Sequence, residues 1–286
     1  MLGVIFGVGA VIAMMSIGEG ARRKSIEQIR LLGTNNIRIK QLALDGEEAV
    51  DAEFRNSEGL TWGDAQALRD KIQGATAVSE MRFVDQVVMG QGEIPKGVNV
   101  VGVSSTYDDL TNSFPSDGRF LSVLDDRSAA RVCVMGNEIK REMFGVQSAV
   151  GKTIRIGEDR FAVVGVMPRK NVSKGGSSVI ELRNINRDIY IPITTALKRF
   201  TDPDYPTRLD EIAIQIETSN EVVPASKLIA RILERRHNGA KDFEIMIPDE
   251  LLAQSQRTQR IFNIVMGSIA ALSLLVGGIG IMNIML

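Results

Sequence analysis

Residues 210–248 read DEIAIQIETSNEVVPASKLIARILERRHNGAKDFEIMIP. The first eight residues, 210–217, place isoleucine at every second position, which is typical of a half-buried β-strand. An amphipathic helix is predicted from about 222 to 236, and a second strand is predicted over 242–248. The stretch therefore predicts a strand–helix–strand unit.

A second unit of the same kind lies nearer the amino terminus. A strand is predicted over 35–43, and a helix begins at Thr61, where Asp64 three residues on predicts a capping box. Strands are predicted over 77–89 and 97–103. Together the two units give βαβ…βαβ, the split pattern of a small α+β two-layer sandwich with helices on one face of a sheet.

The residues between the two units, 105–208, form an insertion. Four short segments with alternating apolar residues predict strands: ARVCVMG, KTIRIGE, RFAVVGVM and DIYIPI. One helix is predicted around 137–144. Glycine and proline punctuate these segments. We therefore expect a mainly β subdomain.

Both ends of the chain are strongly apolar. Residues 1–18, MLGVIFGVGAVIAMMSIG, and residues 261–286, IFNIVMGSIAALSLLVGGIGIMNIML, contain no charged side chain. About 20 apolar residues in a helix cross the hydrocarbon of a bilayer. We interpret the two segments as transmembrane helices with the domain between them on one side. Because both ends stop within apolar sequence, we expect a fragment of a longer protein, with the second span truncated.

Small residues within the predicted spans indicate close packing between membrane helices. The glycines expected to pack in this way are Gly3, Gly7, Gly277, Gly278 and Gly280. Ordinary glycine content of membrane helices is the alternative. A dinucleotide fingerprint at the last three is rejected, because no strand–turn–helix unit surrounds them.

Two helical stalks are predicted to join the spans to the domain, over 19–33 and 249–260. The apolar positions expected to form the packed stripe of these stalks are Ile26, Ile29, Leu32 and Leu252. Gly33 ends the first stalk, whereas the second continues into the apolar segment without a helix breaker.

Charge and residue counts argue against several classes of function. The chain has 34 basic and 35 acidic residues, evenly spread, which does not favour a nucleic-acid partner. Its one cysteine, Cys133, and its one histidine, His237, cannot supply a zinc site between them. Cys133 is expected to be buried in a strand, and His237 to cap the carboxyl end of a helix.

A phosphate-loop lookalike is also rejected. GVQSAVGKT, residues 145–153, has five residues rather than four between its first glycine and Gly-Lys-Thr, and the residues after it predict a strand instead of a helix. Since no constellation of acid, base, nucleophile or metal ligands was found, we expect neither an enzyme nor a bound cofactor.

Several ordered motifs carry a family resemblance. GRFLSVLDDRSAARVCVMGNEIKREMFG (118–145), GKTIRIGEDRFAVVGVMP (151–168) and DIYIPI resemble the periplasmic core domain of MacB-like ABC transporter permeases of the MacB/FtsX type. The start of the chain, up to NNI, is similar to the family's first membrane helix and stalk. GGIGIMNIML, 277–286, is similar to the beginning of its second membrane helix.

The resemblance implies an architecture and a role. It implies a porter-like subdomain from 34–104 and 209–248, with 105–208 as a sabre-like insertion in the periplasm of a bacterium. The chain would lie in the inner membrane, in the lipid bilayer, as a homodimer or paired permease. ATP would be bound by a separate ABC ATPase subunit or domain, and a periplasmic adaptor and outer-membrane channel are further partners. The implied role is mechanotransmission during export.

Two other classes of function stay open. A membrane-anchored extracytoplasmic sensor or binding module would use the β-rich insertion for recognition without transport. A tethered hydrolase would need a pocket with a perturbed acid or base, which the sequence does not indicate. The sequence does not separate drug, peptide, lipid and lipoprotein substrates.

Overall fold

The structure is a computed structural model that describes residues 35–42, 57–90, 97–170, 184–200 and 203–248, with isolated positions elsewhere. The chain divides into two compact units: Met1–Leu31, Gly175–Ile180 and Pro248–Leu286 form one, and Leu32–Lys174 with Glu181–Ile247 form the other. In the first unit, described positions such as Ser16, Gly20, Arg257 and Ser268 are helical. No helix among the described residues is long and apolar enough to cross a membrane.

The second unit is built on one mixed β-sheet. The described strands are β1 (Asn36–Gln41), β2 (Ala75–Val84), β3 (Val88–Met89), β4 (Asn99–Val103), β5 (Asp117–Gly118), β6 (Val132–Met135), β7 (Thr153–Ile156), β8 (Asp159–Val166), β9 (Asp188–Pro192), β10 (Glu211–Ile216) and β11 (Phe243–Met246). Their order is β11-β1-β10-β2-β4-β9-β6-β8-β7-β3, and β5 pairs with β8. The β4–β9 and β6–β8 pairs are parallel, and the other pairs are antiparallel.

Six α-helices are described in the same unit, with a 3₁₀ turn at Ile185–Arg187. They are α1 (Trp62–Lys71), α2 (Tyr107–Leu110), α3 (Val123–Ser128), α4 (Asn137–Phe144), α5 (Ile193–Arg199) and α6 (Ser219–Arg236). The α+β class is thus confirmed. So are the strands predicted over 35–43, 210–217 and 242–248 and the helix over 137–144.

The predicted helix start at Thr61 is confirmed in detail. The Thr61 hydroxyl accepts a hydrogen bond from the Asp64 amide, and the Asp64 carboxylate accepts one from the Thr61 amide. This reciprocal pair satisfies two backbone donors that α1 could not satisfy itself. The same arrangement, built from Ser122 and Asp125, begins α3. α3 was not predicted from the sequence.

Helices cover both faces of the sheet, which differs from the expectation of one helical face. α1 and α6 pack on one face of β1, β10 and β2, where Leu68 and Leu233 meet the isoleucines of β1 and β10. The short helix α2 packs on the opposite face, where Tyr107 and Leu110 meet Met81. It was missed because four residues are too few to show a helical period.

The insertion also departs from the sequence interpretation. It contains α2, α3 and α5 in addition to the one predicted helix. The predicted strand over 77–89 is interrupted after Val84, and its last part, β3, pairs with β7 at the far edge of the sheet. Residues from the range 34–104 therefore reach the insertion's half of the sheet.

The two halves of the sheet meet at the parallel pair of β4 and β9. Asn99 pairs with Asp188 and Val103 with Pro192, so the sheet is continuous from one half to the other. α5 follows β9 directly and lies over Gly102 of β4. A Cβ atom at Gly102 would overlap the Ala196 Cβ and come 3.4 Å from the Ile193 Cδ1. Glycine at this position allows α5 to pack against the strand.

We expect Gly102→Ala to destabilise the domain by about 1–3 kcal/mol, because the added methyl group overpacks the contact with α5. The measurement is denaturant unfolding of the whole chain in detergent micelles. Gly63→Ala is the matched control: its Cβ would approach only the half-exposed Nη2 end of the Arg236 side chain, at 3.2 Å, and alanine favours a helix. Equal stability of Gly102→Ala and the wild type would contradict the close packing of α5 on β4.

Candidate functional site

The two places where the chain enters and leaves the sheet lie side by side. β1 is the first described strand and β11 the last, and they pair antiparallel, with Arg38 opposite Met246 and Gln41 opposite Phe243. Since antiparallel neighbours run in opposite directions, the start of β1 and the end of β11 lie at the same end of the sheet. We call these two strands the connection pair, because the predicted stalks adjoin them in sequence.

β1 is held on its other side and at its first residue. It pairs with β10 from Asn36 opposite Gln215 to Lys40 opposite Glu211. The Asn36 side-chain amide donates to the carbonyl of Leu110 at 2.9 Å, which ties the start of the strand to α2. β1, the strand that follows the first predicted stalk, is therefore an interior strand of the sheet, hydrogen-bonded to β10 on one side and β11 on the other.

An ion pair links the middle of β1 to the first residue of β10. The Arg38 guanidinium pairs with the carboxylate of Glu211, whose side chain is 3% exposed. A charge-assisted hydrogen bond of this kind is stronger than a neutral one. Removing Arg38 would take the ion-pair partner away from a buried carboxylate. The pair therefore fixes the register of β1 against β10.

The far end of the connection pair is fastened by a buried cluster around His237. We call it the His237 cluster; its members are Ser57, Asp64, Arg236, His237 and Asp242. The His237 Nδ1 lies 2.7 Å from the Asp242 Oδ1, and the Nε2 lies 3.4 Å from the Asp64 Oδ2. Asp242 immediately precedes β11, while His237 caps α6 and Asp64 lies in the first turn of α1.

Other groups complete the cluster. The Ser57 hydroxyl donates to the second oxygen of Asp242, and Arg236 donates to the second oxygen of Asp64. The Asp242 carbonyl accepts from the amide of Leu42, just after β1, at 2.9 Å. Asp242 is thus connected through its carboxylate to α6 and to the segment before α1, and through its backbone carbonyl to the end of β1.

The charges of the cluster stabilise one another. Burial alone lowers the pKa of His237, but hydrogen bonds to Asp242 and Asp64 outweigh burial and raise that pKa to about 9. Burial raises the pKa of both carboxyl groups, yet the hydrogen bonds from His237 and their other partners leave both values below the usual range. At neutral pH an imidazolium therefore lies between two carboxylates, with Arg236 as the second cation.

The arrangement does not form a nucleophile and base. Serine hydrolases need the serine hydroxyl beside the imidazole. Here the Ser57 hydroxyl donates to Asp242 instead. Within the part of the chain that the structure describes, no group of three His, Cys, Asp or Glu side chains could hold a metal ion. The cluster joins secondary-structure elements rather than presenting a reactive group.

The predicted positions of His237 and Cys133 are both confirmed. His237 is the C-cap residue of α6, as predicted, but it is also 3% exposed and ion-paired, which was not foreseen. The one signal in the sequence for this ion pair was Asp242, five residues after His237. Cys133 is buried in β6, as predicted, and burial raises the pKa of its thiol.

The phosphate-loop lookalike is confirmed to be unsuitable, because β7 begins at its Thr153. The proposed membrane and stalk residues cannot be placed, since all of them lie outside the described residues: Gly3, Gly7, Gly277, Gly278, Gly280, Ile26, Ile29, Leu32 and Leu252.

The fold is shared with periplasmic and extracellular regions of ABC transporters. It matches the periplasmic region of MacB from Actinobacillus actinomycetemcomitans with a TM-score of 0.63 and 24% identity, over 82% of this chain and 98% of that one. The extracellular domain of the transporter YknZ from Gram-positive bacteria matches with a TM-score of 0.58 and 20% identity, over 74% of this chain and 100% of that one.

The chain belongs to the family of the MacB-like periplasmic core domain, whose model matches residues 1–232. It is 32% identical to the pyoverdine export ATP-binding/permease protein PvdT of Pseudomonas savastanoi pv. phaseolicola, over 100% of the chain and 41% of that protein. It is 29% identical to the macrolide export ATP-binding/permease protein MacB of Wolinella succinogenes, over 100% of the chain and 42% of that protein. The chain spans about two fifths of the length of these relatives.

We expect stability to fall as the pH rises from about 6.5 to about 9. The folded-state pKa of His237 is raised above the unfolded value of 6.5, so its contribution is fully present below pH 6.5 and is lost as the pH passes about 9. The loss is on the order of 3 kcal/mol. Denaturant unfolding of the whole chain in micelles across this range measures it.

His237→Gln is the control for this prediction. The variant should be less stable at pH 6 and should lose the decline between pH 6.5 and 9, because glutamine does not titrate. If the wild type and His237→Gln lost stability equally over that range, the imidazolium between Asp64 and Asp242 would be refuted.

Proposed function

We propose that the chain is the membrane-anchored permease part of a MacB-like ABC exporter, which transmits ATP-driven conformational change across the inner membrane to its periplasmic domain. Family membership supports this, as does the naming of its relatives as export ATP-binding/permease proteins. The observation that carries the mechanism is the register of β1 and β11, which brings both connections to one end of the sheet.

The connection pair suits mechanotransmission for a physical reason. Two stalks joined to distant strands would act on separate parts of the sheet. Stalks joined to adjacent hydrogen-bonded strands act at one place, so that their displacement moves the domain as one body. β1 distributes the force to β10 on one side and β11 on the other.

β11 is the weaker member of the connection pair. It is the last strand of the described sheet, and its described ladder is formed with β1. Force on the end of an edge strand can peel its hydrogen bonds one after another. The His237 cluster limits how far peeling can proceed, because it fastens Asp242, at the end of β11 away from the predicted stalk, to α6 and α1.

The rest of the machinery is proposed from the sequence and the relatives. ATP is bound by a separate ABC ATPase domain or subunit, and a second permease copy completes the membrane part. Gly3, Gly7, Gly277, Gly278 and Gly280 pack the membrane helices, and Ile26, Ile29, Leu32 and Leu252 form the stalks. A periplasmic adaptor and an outer-membrane channel receive the substrate. The domain lies in the periplasm, on the outer side of a bacterial inner membrane.

The function is tested by purifying the protein that contains this chain from membranes, together with any ABC ATPase that its host encodes nearby. Stable association is expected, together with ATP hydrolysis that increases severalfold when exported substrates are added. A catalytically inactive ATPase is the control for background hydrolysis. A chain that never associates with an ATPase would contradict the proposal and favour the anchored sensor or binding module.

A disulfide cross-link tests separately whether the two strands of the connection pair move together. Lys40 and Glu244 are register partners on β1 and β11, and strand neighbours lie within the Cα distances that disulfides bridge. We expect the Lys40→Cys/Glu244→Cys transporter to keep export within about twofold when oxidised, because the strands move together. Lys40→Cys alone is the control.

Loss of export on oxidation, with recovery on reduction, would show that the two strands separate during the cycle. Such a result would refute transmission through an intact connection pair while leaving the role in export standing. The natural Cys133 is buried and does not compete for the cross-link.

A further inference from the structure

A buried arginine lies on β2, beside the segment that precedes β10. Arg82 is 9% exposed, and its Nη1 donates to the backbone carbonyl of Arg208 at 3.2 Å. A guanidinium carries five N–H donors, and this bond uses one of them. Among the residues that the structure describes, no carboxylate forms an ion pair with Arg82. A buried cation without such a partner is costly unless something else compensates its charge.

Arg82 lies on the face of the sheet that α1 and α5 cover. Its register partner on β4 is Gly102, over which Ala196 of α5 lies. Two residues before it on β2, Glu80 is paired with Arg69 of α1. Directly opposite residues on neighbouring strands, and alternate residues along one strand, point to the same face. The Arg82 side chain therefore lies between the contact of α5 with β4 and the contact of α1 with β2.

The backbone around Arg208 is held at the start of α1. The Trp62 amide donates to the carbonyl of Thr207 at 2.9 Å, and Arg208 itself forms an antiparallel β-bridge with Thr61. The hydrogen bond from Arg82 adds a third connection, to β2. The position of Arg208 relative to Arg82 is thus fixed by the fold.

Arg208 brings a second cation to this place. Its guanidinium carbon lies 5.4 Å from the centroid of the Tyr205 ring, within the range of a cation–π contact. In the described parts of the chain no carboxylate is ion-paired with Arg208. Since the N–H groups of a guanidinium lie in its plane, an aromatic ring against one face leaves them able to donate to a ligand.

The charges around the two arginines do not balance. Burial raises the pKa of Asp210, although the Phe83 amide and the charges of Arg82 and Arg208 act to lower it. The Asp210 Oδ2 accepts from that amide at 2.6 Å, whereas neither guanidinium donates to it. Glu211, the next residue, is ion-paired with β1. Two guanidiniums therefore lie near one carboxylate, and one positive charge is left over.

We propose that Arg82 and Arg208 form a binding site for a small oxyanion, the carboxylate or phosphate group of a solute. Because the Arg208 carbonyl takes one N–H of Nη1, the edge of Arg82 formed by Nε and Nη2 keeps two parallel donors. Two such donors match two oxygens of a carboxylate or a phosphate. Arg208 supplies the second positive charge, and the bound anion compensates the burial of Arg82.

The inference does not rest on the proposed transport function, since it concerns recognition of an anion by the domain alone. The alternative role of Arg82 is structural: it would tie the backbone of Arg208 to β2 and bind nothing else. The two roles differ in one observable, because only a binding site gives a saturable response to anions.

The one tryptophan of the chain, Trp62, provides the measurement. Its amide is bonded to Thr207, the residue before Arg208, so an anion bound here should change its fluorescence. The whole chain in micelles is titrated with sodium phosphate and, separately, with sodium acetate, each against sodium chloride at equal ionic strength. We expect saturation with a midpoint on the order of 1 mM for at least one of the two. The anion with the lower midpoint identifies the group that the site prefers.

Variants of the two arginines locate the binding. Arg82→Gln should raise the midpoint about tenfold or more, because it removes a charge-assisted contact. Arg82→Lys keeps the charge but loses the paired donors, so its midpoint should lie between those of the wild type and Arg82→Gln. Arg208→Gln should also bind more weakly. Arg160→Gln, at an exposed arginine of β8, is the matched control and should behave as the wild type.

Two results would overturn the proposal. The first is a response to phosphate and acetate that does not saturate or that chloride reproduces, since this would be screening by salt. The second is an equal midpoint in the wild type, Arg82→Lys and Arg208→Gln, which would place the anion elsewhere. Denaturant unfolding checks that each variant is folded. If Arg82→Gln does not fold, Arg82→Lys and Arg208→Gln decide the outcome by themselves.

Discussion

The antiparallel pairing of β1 with both β10 and β11 is the constraint on which the rest of the structure depends. Because β1 lies between a strand of the second βαβ unit and the strand that ends it, the two units form one sheet instead of two neighbouring layers. The same pairing brings the entry and the exit of the chain to one end. A shift of one residue in its register would turn Ile37 and Ile39 out of the core beneath α1 and α6.

The second constraint lies at the parallel pair of β4 and β9, which makes the insertion part of the sheet. Parallel neighbours need a crossover connection, and the long insertion between the two strands supplies it. α5 then returns over Gly102, where only the absence of a side chain allows the close approach. The interface between the halves of the domain therefore consists of the backbone hydrogen bonds of the β4–β9 pair and the close packing of α5 over β4.

Local sequence patterns predicted many of the helices and strands. They did not predict which distant strands pair. The Thr61–Asp64 capping box and the alternation in β10 depend on neighbouring residues, so the sequence alone placed them. The pairing of β3 with β7 joins residues almost 70 positions apart in a two-residue strand, which leaves no periodic signal. The contacts of His237 were missed for the same reason, since Asp64 is distant in sequence and approaches only after α1 and α6 pack together.

The charges of the His237 cluster balance, which suits its place beside the connection pair. Two carboxylates meet an imidazolium and a guanidinium, and every carboxylate oxygen has a partner. The His237 Nε2 lies 3.4 Å from the Asp64 Oδ2, an ion pair without the geometry of a full hydrogen bond. Removing one member would take its partner away from a buried charge, so the cluster disfavours other arrangements of α1, α6 and β11. The strand at the edge of the sheet is therefore held by side chains as well as by its ladder with β1.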